Sequence, residues 1–217
     1  MKIIFCIPGN NFSNRFLKCW TNLTRELHKR DIEYELLSQY IPNVYKVRSM
    51  LLGADQKFGL YQEPWQGKKE YDYIMWIDSD QVFEPNDFFK LLEHDKDIVS
   101  GLYLRKPRSD NLNDIPIEFA CFNEDGKKLY TNEVNGELRT VFGNGMGWML
   151  VKKGVFESIK KPFDFSKYED SVSRKIFPYV ILGGPKLDPP VVVDPPPNPD
   201  LRPGFLRCNG NPPNLRF

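Results

Sequence analysis

Tyr73-Ile74-Met75-Trp76-Ile77-Asp78-Ser79-Asp80 decides how this chain is read. Five consecutive apolar residues of strand-forming type point to a strand buried on both faces, the pattern of a sheet covered by helices. Two carboxylates follow at its carboxyl end, where open α/β sheets place their ligands. If the extended geometry continues, Asp78 and Asp80, two residues apart, point the same way. Paired hard oxygen ligands suit Mg²⁺ or Mn²⁺, ions that usually come with a phosphate-bearing partner. The plainer alternative is a turn that one aspartate satisfies before the next helix.

Outward from this strand the pattern alternates. Residues 2–8 form an apolar first strand ending in the turn Pro8-Gly9-Asn10-Asn11. Ser13 is placed to cap a helix reaching about Lys29, with Phe16, Leu17, Trp20, Leu23 and Leu27 on one stripe. Ile32–Ser38 reads as a strand, Val44 to about Leu52 as a helix carrying Arg48, and residues 53–70 as a loop. Pro85 opens a helix through Leu92, proline being favoured in the first turn. Ile98–Tyr103 reads as a further strand. Beyond it come shorter strands at Ile117–Asn123, Lys128–Tyr130 and Leu138–Phe142, with turns at Glu124-Asp125-Gly126 and Asn135-Gly136. The glycine-rich bend Gly143–Gly147 leads into a buried strand over Trp148–Val151 and a short helix over Val155–Ile159. Strands alternating with helices give the expectation of an α/β domain: a mostly parallel central sheet flanked by helices, with a small antiparallel part.

The 217 residues suffice for one well-cored domain, and 41% hydrophobic content indicates a folded chain. Thirty basic against 29 acidic residues leave a net charge of +1, which gives no electrostatic case for nucleic acid or a membrane surface. No apolar run approaches the ~18 residues of a membrane span. The first strand is too short for a secretory signal, and Cys6, Cys19, Cys121 and Cys208 show no paired spacing. A cytoplasmic protein with reduced thiols is expected. From Pro185 the composition changes: ten prolines fall in residues 185–217, so 1–184 is read as the domain and 185–217 as a proline-rich tail packed on it or on a neighbour.

The segment Tyr71–Phe83 resembles the DxD region of GT-A glycosyltransferases. Ser100-Gly101-Leu102-Tyr103 and Gly145-Met146-Gly147-Trp148-Met149-Leu150-Val151 are similar to the segments that follow it in small single-domain members, including those encoded by viruses and phages. The resemblance covers roughly residues 1–160. It implies a GT-A-like fold and transfer of a sugar from a nucleotide diphosphate, a UDP-sugar, to a glycan hydroxyl. In that scheme Ile7, Pro8, Gly9 and Asn10 hold base and ribose, and Arg48 faces the diphosphate, as guanidinium chemistry favours. Asp78 and Ser79 sit beside the nucleotide, and Asp55 is a further contact. Asp78 and Asp80 bind Mn²⁺ or Mg²⁺. Gly145, Met146, Gly147 and Trp148 approach the sugar or acceptor.

An inverting enzyme also needs a general base. Glu169-Asp170 is the acidic pair in the expected place, so Asp80, Glu169 and Asp170 form the expected catalytic set. A retaining transfer needs no such base. Arg105, Lys106 and Arg108 are either a phosphate clamp or a solvated run. Many members of the family close the metal site with a histidine after a Val-Asp-Pro turn. Val193-Asp194-Pro195 echoes the turn, but His28 and His94 are the only histidines and both read as helical. A non-catalytic nucleotide-sugar or glycan-binding module is therefore the alternative. A sugar nucleotidyltransferase is disfavoured, because no glycine-rich loop with Arg and Lys follows the first strand.

Overall fold

The computed structural model describes residues 1–59, 61–103, 118–130 and 138–159. Its centre is a five-stranded sheet of β1 (Lys2–Pro8), β2 (Glu33–Gln39), β3 (Tyr73–Ile77), β4 (Ile98–Ser100) and β8 (Trp148–Lys152), in the order β2-β1-β3-β8-β4. β1 pairs in parallel with β2 and β3, whereas β8 is antiparallel to both β3 and β4. Four strands thus share one direction and β8 alone runs against them. The sheet is mixed, mostly parallel in strand direction but evenly divided between parallel and antiparallel pairings.

Every residue of β3 is buried, because both faces of the sheet are covered. One face carries Ile3, Phe5, Ile7, Met75 and Ile77 against α1 (Asn14–Lys29) and α3 (Pro85–Glu93). The other carries Ile4, Cys6, Ile74 and Trp76 against α2 (Val44–Leu51). That second face also receives Cys121 of a small antiparallel sheet, in which β5 (Glu118–Phe122) lies between β6 (Lys128–Tyr130) and β7 (Gly143–Asn144). A single helical turn, α4 (Val155–Ser158), adds Val155 and Phe156 to this layer. Cys6, Cys19 and Cys121 are buried free thiols.

The helix starts follow local chemistry. Ser13 Oγ accepts the Phe16 N–H at 3.0 Å, and Asn43 Oδ1 accepts those of Tyr45 and Lys46 at 3.0 and 3.1 Å. Asp87 reaches back to the Glu84 N–H at 2.9 Å, with Pro85 in the first turn of α3. No helix among the described residues is long and apolar enough to cross a membrane.

Four local expectations are corrected. Leu17 is exposed and Cys19 is buried instead, because the inward stripe of α1 follows Phe16, Cys19, Leu23 and Leu27, while Trp20 packs at its border against Phe5. The strand expected over Ile98–Tyr103 ends at Ser100, where the chain leaves β8 for β5: the Gly101 N–H bonds Trp148 O, and Tyr103 O already accepts from the Ala120 N–H. Leu138–Phe142 is not a strand; β5 pairs instead with Gly143 and Asn144, and Leu138 faces solvent. Finally, the loop over 53–70 carries a core residue. Trp65 is buried and its indole N–H bonds Leu51 O at 3.0 Å, held by left-handed backbone at Trp65 and Gln66. The turn at 124–126 is present, and Asn135-Gly136 lies outside the described residues.

Gly101 shows how closely β4 and β8 approach. A β-carbon there would lie 2.4 Å from Trp148 Cδ1, and the indole has no room to retreat because Phe83 stacks on it at 4.6 Å. Gly101→Ala is expected to cost about 2 kcal/mol by overpacking, a fall of ~4–8 °C in Tm for a domain of this size. Thermal unfolding followed by circular dichroism checks this, and an unchanged Tm would show that the indole moves freely.

Candidate functional site

The carboxyl end of β3 does not continue extended. Asp78-Ser79-Asp80-Gln81 is a turn closed by the Gln81 N–H on Asp78 O at 3.0 Å, so the two carboxylates are brought near each other by a bend rather than by strand alternation. The turn begins where the register of β3 with β8 ends, at Ile77↔Trp148.

Arg48 lies on α2 among buried residues, and its Nη2 donates to Asp78 Oδ1 at 2.8 Å. The guanidinium side chain is 7% exposed and the carboxylate 27%, so the pair sits at the floor of the site with one edge toward solvent. Arg48 Nε and the indole N–H of Trp76 are buried donors without a hydrogen-bond partner among the described residues. Arg48 also stands 6.0 Å from the centre of the Trp76 ring, the outer limit of a cation–π contact.

Asp80 differs from its neighbour. It lies at the surface, yet its pKa is raised, first by loss of solvation against the surrounding turn and then by the charge of Asp78. A carboxylate whose ionised form is disfavoured beside a second carboxylate gains from an added cation. Among the described residues no three His, Cys, Asp or Glu side chains converge on one point. The acidic turn therefore fits a divalent ion only in an open manner: Asp80, with Asp78 beside it already holding Arg48, and the remaining positions filled by ligand phosphate oxygens and water.

Two glycine segments close on this turn. Gly9, after β1, packs so near that a β-carbon would lie 2.5 Å from Ser79 Cβ, while its N–H bonds Gln39 O at 3.0 Å. On the other side Gly147 O accepts the Asp78 N–H at 2.9 Å, and a β-carbon on Gly147 would lie 2.7 Å from Asp78 Oδ2. Gly9, Arg48, Asp78, Ser79, Asp80 and Gly147, far apart in sequence, are thus joined at the carboxyl end of β1 and β3. Pro8 ends β1 half-buried and Asn10 is exposed beyond it.

The other expected residues also make contacts within the protein. Ile7 is buried in the core that faces α1 and α3, so only its backbone borders the turn, and its carbonyl accepts the Ser38 hydroxyl at 2.9 Å. Asp55 caps a short 3₁₀ turn by accepting the Lys57 N–H at 3.0 Å and pairs with the Lys57 ammonium at 2.9 Å. Met146 packs against the core on the α2 face. Trp148 is a core side chain between Gly101 and Phe83. His28 and His94 are exposed, in α1 and at the end of α3. Glu169, Asp170, Arg105, Lys106, Arg108 and Val193-Asp194-Pro195 lie outside the described residues.

Tyr103 is the residue to which the sequence assigned no role. Its hydroxyl accepts the Gly147 N–H at 3.1 Å, and its ring occupies space that β-carbons on Gly145 and Gly147 would need. The signal was present as two glycines two apart, which clear one side of the bend for a ring.

No model of a known protein family matches the sequence, and no curated protein matches it.

Proposed function

We propose that the protein is a metal-dependent glycosyltransferase of GT-A-like fold that takes a UDP-sugar as donor and a glycan hydroxyl as acceptor. The observation that carries this is the meeting of the Gly9 turn, the Arg48–Asp78 pair, Asp80 and the Gly147 bend at the carboxyl end of parallel β1 and β3. The glycine at position 9 lets the turn after β1 close directly on Ser79, which brings the first strand's end and the acidic turn to one place. Asp78, oriented by Arg48 and by Gly147 O, offers a fixed acceptor for a ribose hydroxyl. Asp80 offers the exposed carboxylate for Mn²⁺ or Mg²⁺. When bound, the cation supplies neutralisation of the negative charge that builds on the departing diphosphate.

A melting-temperature screen with UDP, GDP and CMP, each with and without Mn²⁺, tests the donor site. At a nucleotide concentration of about 100 Kd, selective binding contributes about 2.7 kcal/mol, an expected rise of ~5–10 °C with UDP plus Mn²⁺. No shift with any nucleotide and metal would reject the proposal. The alternative, a binding module without turnover, is favoured by one observation: Arg48 already holds Asp78, which leaves the cation little protein ligation. Release of UDP from a UDP-sugar separates the two. Binding without release, even slowly to water, selects the module.

A further inference from the structure

We propose that Tyr103 is a positioning residue for this site, acting through Gly147 to fix where the Asp78 carboxylate points; the inference rests on the donor-site assignment above. Tyr103 is held at both ends. Its backbone carbonyl accepts the Ala120 N–H of β5 at 3.1 Å, and Ala120 O in turn accepts the Gly145 N–H at 2.8 Å. Its hydroxyl accepts the Gly147 N–H at 3.1 Å. Gly147 then accepts the Asp78 N–H at 2.9 Å. A chain of hydrogen bonds therefore runs from the small sheet through Tyr103 and Gly147 to the acidic turn.

Sterics point the same way. The β-carbon position of Gly147 lies 2.7 Å from Asp78 Oδ2 and 2.9 Å from Tyr103 Cζ, so ring and carboxylate share the space that a side chain would take. At Gly145 the same position falls 1.8 Å from the Tyr103 hydroxyl. Both glycines exist in the form that admits this ring. Arg48 grips Asp78 from the opposite element through Oδ1, leaving Oδ2 on the Gly147 side. The carboxylate is thus set by two independent supports, an ion pair on one oxygen and a glycine backed by an aromatic ring next to the other.

Tyr103→Phe keeps the ring and removes the hydroxyl. In hydrogen exchange on the full chain, the Asp78 and Gly147 amides are expected to exchange about tenfold faster in the variant, with the Tyr73–Ile77 amides unchanged. Affinity for UDP with Mn²⁺, measured by calorimetry, is expected to fall about three- to tenfold, as for a lost hydrogen bond. Unaltered exchange at Asp78, or a uniform acceleration across Tyr73–Ile77, would overturn the proposal, the second by showing general loosening. Altered exchange with unaltered affinity would also overturn it. Should the wild-type protein ignore UDP with Mn²⁺, the donor site falls, while the two amides still decide whether Tyr103 holds Asp78.

Discussion

Arg48→Met is expected to destabilise the protein by about 2–3 kcal/mol, below the ~3–5 kcal/mol of a fully buried broken pair because Asp78 keeps one edge in water. For this chain length that is a fall of ~4–12 °C in Tm. Methionine retains the length and apolar contact of the arginine stem, so the loss reports the uncompensated Asp78 carboxylate rather than a cavity. Arg48 Nε has no partner among the described residues, so no second hydrogen bond is sacrificed there. Adding Asp78→Asn to Arg48→Met is expected to recover most of the loss, since the stranded charge is removed. Equal stability of the single and double variants would show that the loss came from packing alone. In both variants the response to UDP with Mn²⁺ is expected to vanish.

Asp80→Asn is expected to act in opposite directions with and without ligand. The folded protein holds the Asp80 proton more tightly than the unfolded chain does, because loss of solvation and then the charge of Asp78 raise its pKa. Raising the pH through the carboxylate range therefore lowers stability, and at neutral pH the ionised group is a net burden in the metal-free protein. Removing the charge is expected to raise Tm by ~1–2 °C, within the range of a surface substitution. The same change is expected to abolish the Mn²⁺-dependent part of the UDP shift. A retained shift would place the cation elsewhere, and a lowered Tm without metal would show that Asp80 serves the fold. Stabilisation coupled to loss of binding is the signature of a group kept for a ligand.

Much of the architecture was legible because it is written locally. The apolar runs of β1 and β3, Ser13 before its helix, and Pro85 each need only a few neighbouring residues to act. What was missed depends on partners distant in sequence. Nothing in Trp148–Val151 says that it runs against β3, and nothing in Ile98–Tyr103 says that its last residues leave the sheet for β5. Trp65 was hidden among polar and glycine residues because a tryptophan in a loop shows its burial only through the helix end it caps. At the site, residue types were readable and pairings were not. Arg48 carried the right chemistry for an anion, but nothing in the sequence pairs it with the Asp78 carboxylate that it meets in the structure. The Asp78–Asp80 pair was read in an extended frame, whereas the hydrogen bond to Gln81 makes it a turn.

The position of β8, late in the chain but inside the sheet, sets an order of assembly. Because it is inserted between β3 and β4, both of those strands wait for a segment made well after them before gaining their shared neighbour. The half built first, β1 with β2 and β3, pairs in parallel, but the second edge of β3 stays bare until residues 148–152 arrive. Asp78 meets Gly147 only at that closure, which carries a large loop entropy. During synthesis the contact of the acidic turn with Gly147 is consequently absent until that segment has been made. A chain stopped before the Gly143–Gly147 bend would carry an arginine and two aspartates in the right order, with no Gly147 carbonyl to receive the Asp78 N–H.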